Sequence, residues 1–178
     1  AQGPALEWSG SGGGGAGFKA TVLQKRDGME GVVDRLRKHI NKMSTKTCGA
    51  LRLKAFAEID GQEGAADSID VSVAVFGLVS SNAFYSGMYA EFYAALLERY
   101  PAMRGTLEDQ LSKAPSQLAT AVTKEPSEDY DAFCDQNKLN AVKRATAKFY
   151  VSLAARKVIG VGPVIRILAS IQDAIQVA

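Results

Sequence analysis

Arg35, Lys38, Lys42 and Lys46 recur at intervals of three and four residues, and Arg52 and Lys54 follow shortly after. Side chains at that spacing share one flank of a helix. If the segment is helical and doubles back on itself, the cations become a contiguous patch able to neutralise consecutive phosphates of a nucleic-acid backbone. Arg144 and Lys148, with Arg156 and Lys157 beyond them, form a second group that extends such a patch. The competing explanation is an ordinary solvated helix face. A net charge of +2 is too small to decide between them, so the distribution of charge has to.

Other chemistry is thinly provided. Glu58, Asp60, Glu63, Asp67 and Asp70 lie in and around a polar turn, where solvated carboxylates need no catalytic explanation. His39 is the only histidine and sits at the edge of an apolar stripe, which predicts a structural role. No serine or cysteine has an evident base beside it. Cys48 and Cys134 are the only cysteines, too few with one histidine for a closed zinc site. Two free thiols used as core filler are expected, with a single bridge as the alternative. Gly12 to Gly15 follow no strand and precede no Gly-Lys-Ser/Thr, so they do not read as a phosphate loop. The chain is accordingly expected to be non-enzymatic, without cofactor, metal or small-molecule substrate.

The elements that position these residues follow from periodicity. Val32, Val33, Leu36, Ile40 and Met43 fall within about 100° of arc on a helix, with Arg35, Lys38 and Lys42 roughly opposite. This predicts a helix over 27–43. A second helix over 47–59 follows after Ser44-Thr45-Lys46, giving an antiparallel hairpin. The segment 69–79 is ambiguous: Ile69, Val71, Val73 and Val75 alternate like a strand, whereas Ile69, Val73, Phe76 and Val79 keep helical spacing. No comparable second strand is available to pair with it, which favours a helix. A broadly apolar helix is expected over 83–100, then a shorter one containing Met103, Leu107 and Leu111 that stops before Pro115. Ser127-Glu128-Asp129 is a helix start, leading into one bent helix or two abutting ones. Gly160 to Gly162 break the chain, Pro163 takes a first helical position, and Val164, Ile167, Leu168, Ile171 and Ile175 form a last stripe.

At 178 residues, 47% hydrophobic and 22% charged, the chain fits one helical domain over 27–178, preceded by an arm over 1–26. The arm's Ser/Gly-rich composition predicts flexibility, and it lacks the charged n-region and apolar h-region of a signal peptide. Leu6 and Trp8 are either ordinary residues of a linker or an anchor that docks elsewhere. The longest apolar runs are too short to cross a bilayer. Because solenoids close with a polar outer face, the apolar last stripe predicts further repeats beyond it.

The run Leu36-Arg37-Lys38-His39-Ile40-Asn41-Lys42-Met43-Ser44 resembles the opening helix of the middle domain of the eukaryotic translation initiation factor four-gamma scaffold family. Phe76, Asn82-Ala83-Phe84 and Met88-Tyr89-Ala90-Glu91-Phe92 are similar to that family's second helix pair. Lys143-Arg144-Ala145, Phe149-Tyr150-Val151, Leu153 and the stripe from Val164 are similar to its third. Tyr130-Asp131-Ala132-Phe133-Cys134, Asn137-Lys138 and Asn140 resemble versions carried by large DNA viruses of eukaryotes. The resemblance covers residues 27–178. It implies an all-α, HEAT-type stack of about three helix pairs, with the segment 69–79 helical. It also implies a cytoplasmic, non-enzymatic scaffold that binds RNA and a DEAD-box RNA helicase, with Leu6 and Trp8 as the helicase anchor; for a viral version the compartment is the host cytoplasm. The alternative is an RNA-binding helical module of RNA processing or decay without helicase contact.

Overall fold

The computed structural model describes residues 27–119, 127 and 129–177. All regular structure among them is helical: α1 (Gly28–Ile40), α2 (Cys48–Asp60), α3 (Ile69–Ser80), α4 (Ser86–Arg99), a 3₁₀ turn (Pro101–Met103), α5 (Arg104–Ala119), α6 (Tyr130–Ala155) and α7 (Val161–Val177). Leu6, Trp8 and the glycine tract lie outside the described residues.

The first two helices follow the sequence expectation. Val32, Leu36 and Ile40 of α1 are buried together with Met43 in the turn. On the facing helix α2, Ala55 and Ile59 are buried.

Helix α3 carries the segment that alternates like a strand. Ser68 starts it, its hydroxyl accepting from the Val71 amide at 3.4 Å. The buried face matches the expected one only in part: of Ile69, Val73, Phe76 and Val79, the last two are in the core, joined by Val71 and Val75, whereas Ile69 and Val73 are exposed. Both sets keep helical spacing, and burial goes to the set facing α1 and α4. Helix α4 is covered on several sides, by α2, α3 and α6, and buries Tyr89, Ala90, Phe92, Tyr93, Leu96 and Leu97.

Further expectations are corrected, and the choice between one helix and two over 130–155 is decided. Helix α5 does not stop before Pro115 but runs through it to Ala119. An interior proline removes one backbone hydrogen bond and costs about 3 kcal/mol. Here Ala114 before it is buried and Leu118 after it packs on the core, so apolar packing carries the helix across the break. The 130–155 segment is one helix of 26 residues, started by Asp129, whose carboxylate accepts from the Ala132 amide at 2.9 Å. Its end comes at Lys157 rather than at a glycine. Lys157 adopts φ 59°, while the Lys157 and Val158 amides donate to Ala154 and Leu153 carbonyls at 2.9 and 3.0 Å. Helix α7 begins at Val161, which places Pro163 in its first turn rather than at its first residue.

The helices form a stack of hairpins. Met29 and Val33 of α1 line a groove with Asp70 and Ala74 of α3. The first turn of α3 meets Thr106 of α5, and its later turns meet Gln110 to Leu118. Thus α1, α3 and α5 lie side by side in the same sense. Phe56 of α2 stacks on Phe92 of α4 at 6.4 Å, and Asp60 meets Arg99, so α2 and α4 form the matching second layer. Helix α6 departs from this regularity. Phe149 meets Tyr93 of α4 at 5.8 Å while Ser152 meets Ser86 at 3.1 Å, so advancing along α6 means retreating along α4. The expected third pair, α6 with α7, does not form as drawn: α7 lies chiefly on α5. Of its predicted stripe, Ile167 is buried and Val164 and Ile171 are half-buried, but Leu168 and Ile175 are exposed.

Candidate nucleic-acid interface

The turn between α1 and α2 is held by its own side chains. The Thr47 hydroxyl donates to the Lys42 carbonyl at 3.0 Å and accepts from the Ser44 amide at 2.9 Å, while the Ser44 hydroxyl lies 2.9 Å away. Met43 is buried beneath this turn. Lys42 and Lys46 therefore project from a backbone fixed on both sides, and Lys38 stands one turn earlier on α1. All three are exposed and form no ion pair with described residues.

Arg35 is placed differently. Its Nε lies 2.5 Å from Glu58 Oε2, and His39 Nε2 lies 3.3 Å from Glu58 Oε1, so the α1 cation nearest the core braces α2. Burial pushes the Glu58 carboxyl up, but hydrogen bonds from Arg35 and then His39, together with their charges, leave it below the usual carboxylate range. His39 thus has the structural role expected of it. The acidic residues are less idle than their turn location suggests. Asp60 lies 2.5 Å from Arg99 Nη2 and 2.9 Å from the Tyr100 hydroxyl. Those two hydrogen bonds, Arg99 first, hold its carboxyl below its ordinary value. The Arg99 guanidinium also lies over the Phe56 and Tyr100 rings, at 5.4 and 5.7 Å from their centroids.

Arg144 and Lys148 are exposed on α6, with Arg156 and Lys157 exposed at its end. Lys148, Ser152 and Arg156 succeed one another at one-turn spacing, so the flank carrying the two cations is the one that meets Ser86. A Cβ built on Gly87 would lie 4.0 Å from Arg156 Nη2, which puts this guanidinium beside the first turn of α4. The two basic groups predicted from sequence thus both border α4, since the Tyr89 hydroxyl donates to the Ile40 carbonyl at 3.1 Å at the end of α1.

Between them stands a residue that sequence reasoning did not single out for function. Phe84, in the α3–α4 turn, is 83% exposed. Asn82 Oδ1 accepts from the Phe84 and Tyr85 amides at 3.0 and 3.2 Å, fixing the turn. The Phe84 ring meets Tyr85 edge-on at 4.7 Å, and Tyr85 in turn meets Tyr89 at 6.1 Å. The available signal was a large aromatic residue inside a short polar turn, outside any helical stripe.

Cys48 and Cys134 are unbridged, and burial followed by the Glu91 charge pushes the Cys48 thiol up, away from the reactive thiolate. Among the described residues no group of three His, Cys, Asp or Glu could hold a metal ion, and no helix is long and apolar enough to cross a membrane. No protein-family model, curated protein or solved structure matches this chain.

Proposed function

We propose that this chain is a non-enzymatic, HEAT-type helical scaffold of the translation-initiation kind, which binds RNA on its basic edge and holds a DEAD-box RNA helicase near it. The observation that carries the reading is the trio Lys38, Lys42 and Lys46, exposed and without ion-pair partners among the described residues, around a hairpin turn held by its own side chains. Cations left unpaired on a fixed backbone contact phosphates without first breaking a protein salt bridge. Arg144 and Lys148 extend the same charge on α6, whereas Arg35 contributes through the hairpin it braces. Leu6 and Trp8 remain the anchor for the helicase, and the compartment is the cytoplasm, that of the host for a viral version. Such a scaffold stimulates its partner by binding one arrangement of the helicase lobes more tightly than the other.

The test is a titration of a translation-type DEAD-box helicase with the chain, following ATP hydrolysis. Stimulation is expected, and Leu6→Ala with Trp8→Ala should remove it. Reversing Lys38, Lys42 and Lys46 to glutamate should weaken RNA binding and flatten its salt dependence by roughly 0.7 log units per lost phosphate contact. Helicase association should survive that change. No helicase binding at micromolar concentration would remove the scaffold reading and leave only the RNA-binding module.

A further inference from the structure

We propose that Phe84 is a stacking platform for an unpaired base of single-stranded RNA, with Lys42 at the end of α1 and Lys148 and Arg156 on α6 meeting the flanking phosphates. The inference rests on the RNA-binding reading and names the form of RNA bound. A phenylalanine left 83% exposed forgoes the burial its ring would gain in the core. Its position is nonetheless built. The Asn82 side chain fixes the backbone on which the ring stands, through the Phe84 and Tyr85 amides. The Phe84–Tyr85–Tyr89 series of rings then ties it to the end of α1 through the Tyr89 hydroxyl. From α6, the Ser86–Ser152 contact and the approach of Arg156 to Gly87 bring its cations to the same turn.

At 83% exposure the Phe84 ring keeps a face open to solvent beside its perpendicular contact with Tyr85, and ring faces stack on any base irrespective of sequence. Paired bases are already stacked, so a duplex offers nothing to this platform. The surroundings favour a polyanion over a protein partner. Arg156 lies beside Gly87, and Lys42 follows shortly after the Ile40 carbonyl that Tyr89 meets, both exposed, while the acids of α4, Glu91 and Glu98, come further along the helix; a protein hot spot instead sits within a broader apolar surface.

The test compares binding of a labelled oligouridine of roughly ten nucleotides and of a blunt duplex by fluorescence anisotropy over a range of salt. The full chain should prefer the single strand. Phe84→Leu keeps apolar bulk but loses the aromatic face, and should weaken single-strand binding roughly 5- to 100-fold with the salt slope retained. Phe84→Trp should bind at least as tightly as the parent. Lys42→Glu with Arg156→Glu should instead reduce both affinity and salt slope. Because Phe84 is exposed, its variants should melt at the parent temperature, which separates lost binding from lost folding. If Phe84→Leu binds the single strand like the parent while the charge reversals do not, the platform is overturned and the RNA-binding reading stands. Equal affinity for the duplex also overturns it, as does a Phe84→Leu variant that keeps RNA but loses the helicase. If the parent chain binds neither RNA, the reading beneath it fails as well.

Discussion

The α1–α4 half and the α5–α7 half use helices of similar kind but are joined by different forces. In the first, polar side chains tie one helix to another: Arg35 and His39 to Glu58, Arg99 and Tyr100 to Asp60, Tyr89 to the end of α1. In the second, the Lys113–Asp109 and Lys138–Asp135 pairs each lie within a single helix. Its junction with the first half is chiefly aromatic: Phe76 of α3 and Tyr93 of α4 meet Phe149 and Tyr150 of α6 with centroids 5.8 to 6.1 Å apart, beside the lone Ser152–Ser86 and Thr146–Ser80 contacts among the described hydrogen bonds. Directional bonds fix how far one helix can slide along the next, whereas a cluster of rings fixes only where two helices cross. This difference fits the regular layering of α1 to α4 and the reversed course of α6 along α4.

Removing the ring cluster should break the second half most severely. Phe149 is fully buried, so Phe149→Ala is expected to cost about 3–5 kcal/mol, read from denaturant midpoints. A paired substitution on α7 sharpens the contrast between its faces. Ile167→Ala should cost about 2–4 kcal/mol, whereas Ile165→Ala, at a position 59% exposed, should change stability by less than about 0.5 kcal/mol. Pro115→Ala should raise stability by about 2 kcal/mol, the roughly 3 kcal/mol interior penalty less about 1 kcal/mol lost through a freer unfolded chain. Equal stability in this variant would mean that α5 is already bent around the missing hydrogen bond. The smallest effect concerns acid and the first half. Glu58 and Asp60 both have lowered carboxyl pKa values, so their contribution is present above the unfolded carboxylate pKa of about 4 and is lost as pH falls through the folded value. Asp60 is 44% exposed, so its share should stay under about 1 kcal/mol. Asp60→Asn should flatten the fall in melting temperature below about pH 4, with the ring cluster unaffected.

Helix existence and type were legible wherever the apolar period was strong, as at Val32–Met43 and Tyr89–Leu97. What periodicity could not decide was which of two helical faces wins burial. On α3, Val71–Val75–Val79 and Ile69–Val73 are equally regular, and only the neighbours select between them. Pro115 misled for a related reason: local backbone cost was visible in sequence, while the packing of Ala114 and Leu118 that offsets it was not. The pairing of α7 with α5 rather than α6 lay beyond reach because adjacency in the chain was the only guide to adjacency in space. For the interface, the basic residues were recognisable by spacing, but Arg35 belongs to Glu58, a partner 23 residues away. Phe84 was visible only as an aromatic in a turn, since exposure is not written in residue type.

The sparse cover over α7 has a dynamic consequence. With Ile167 its single buried side chain among the described residues and α5 its main support, this helix can lift away while the aromatic cluster between α4 and α6 stays closed. Its amide protons would then exchange with solvent through a local opening far below the global unfolding energy, and protection would climb from the last helix toward α4.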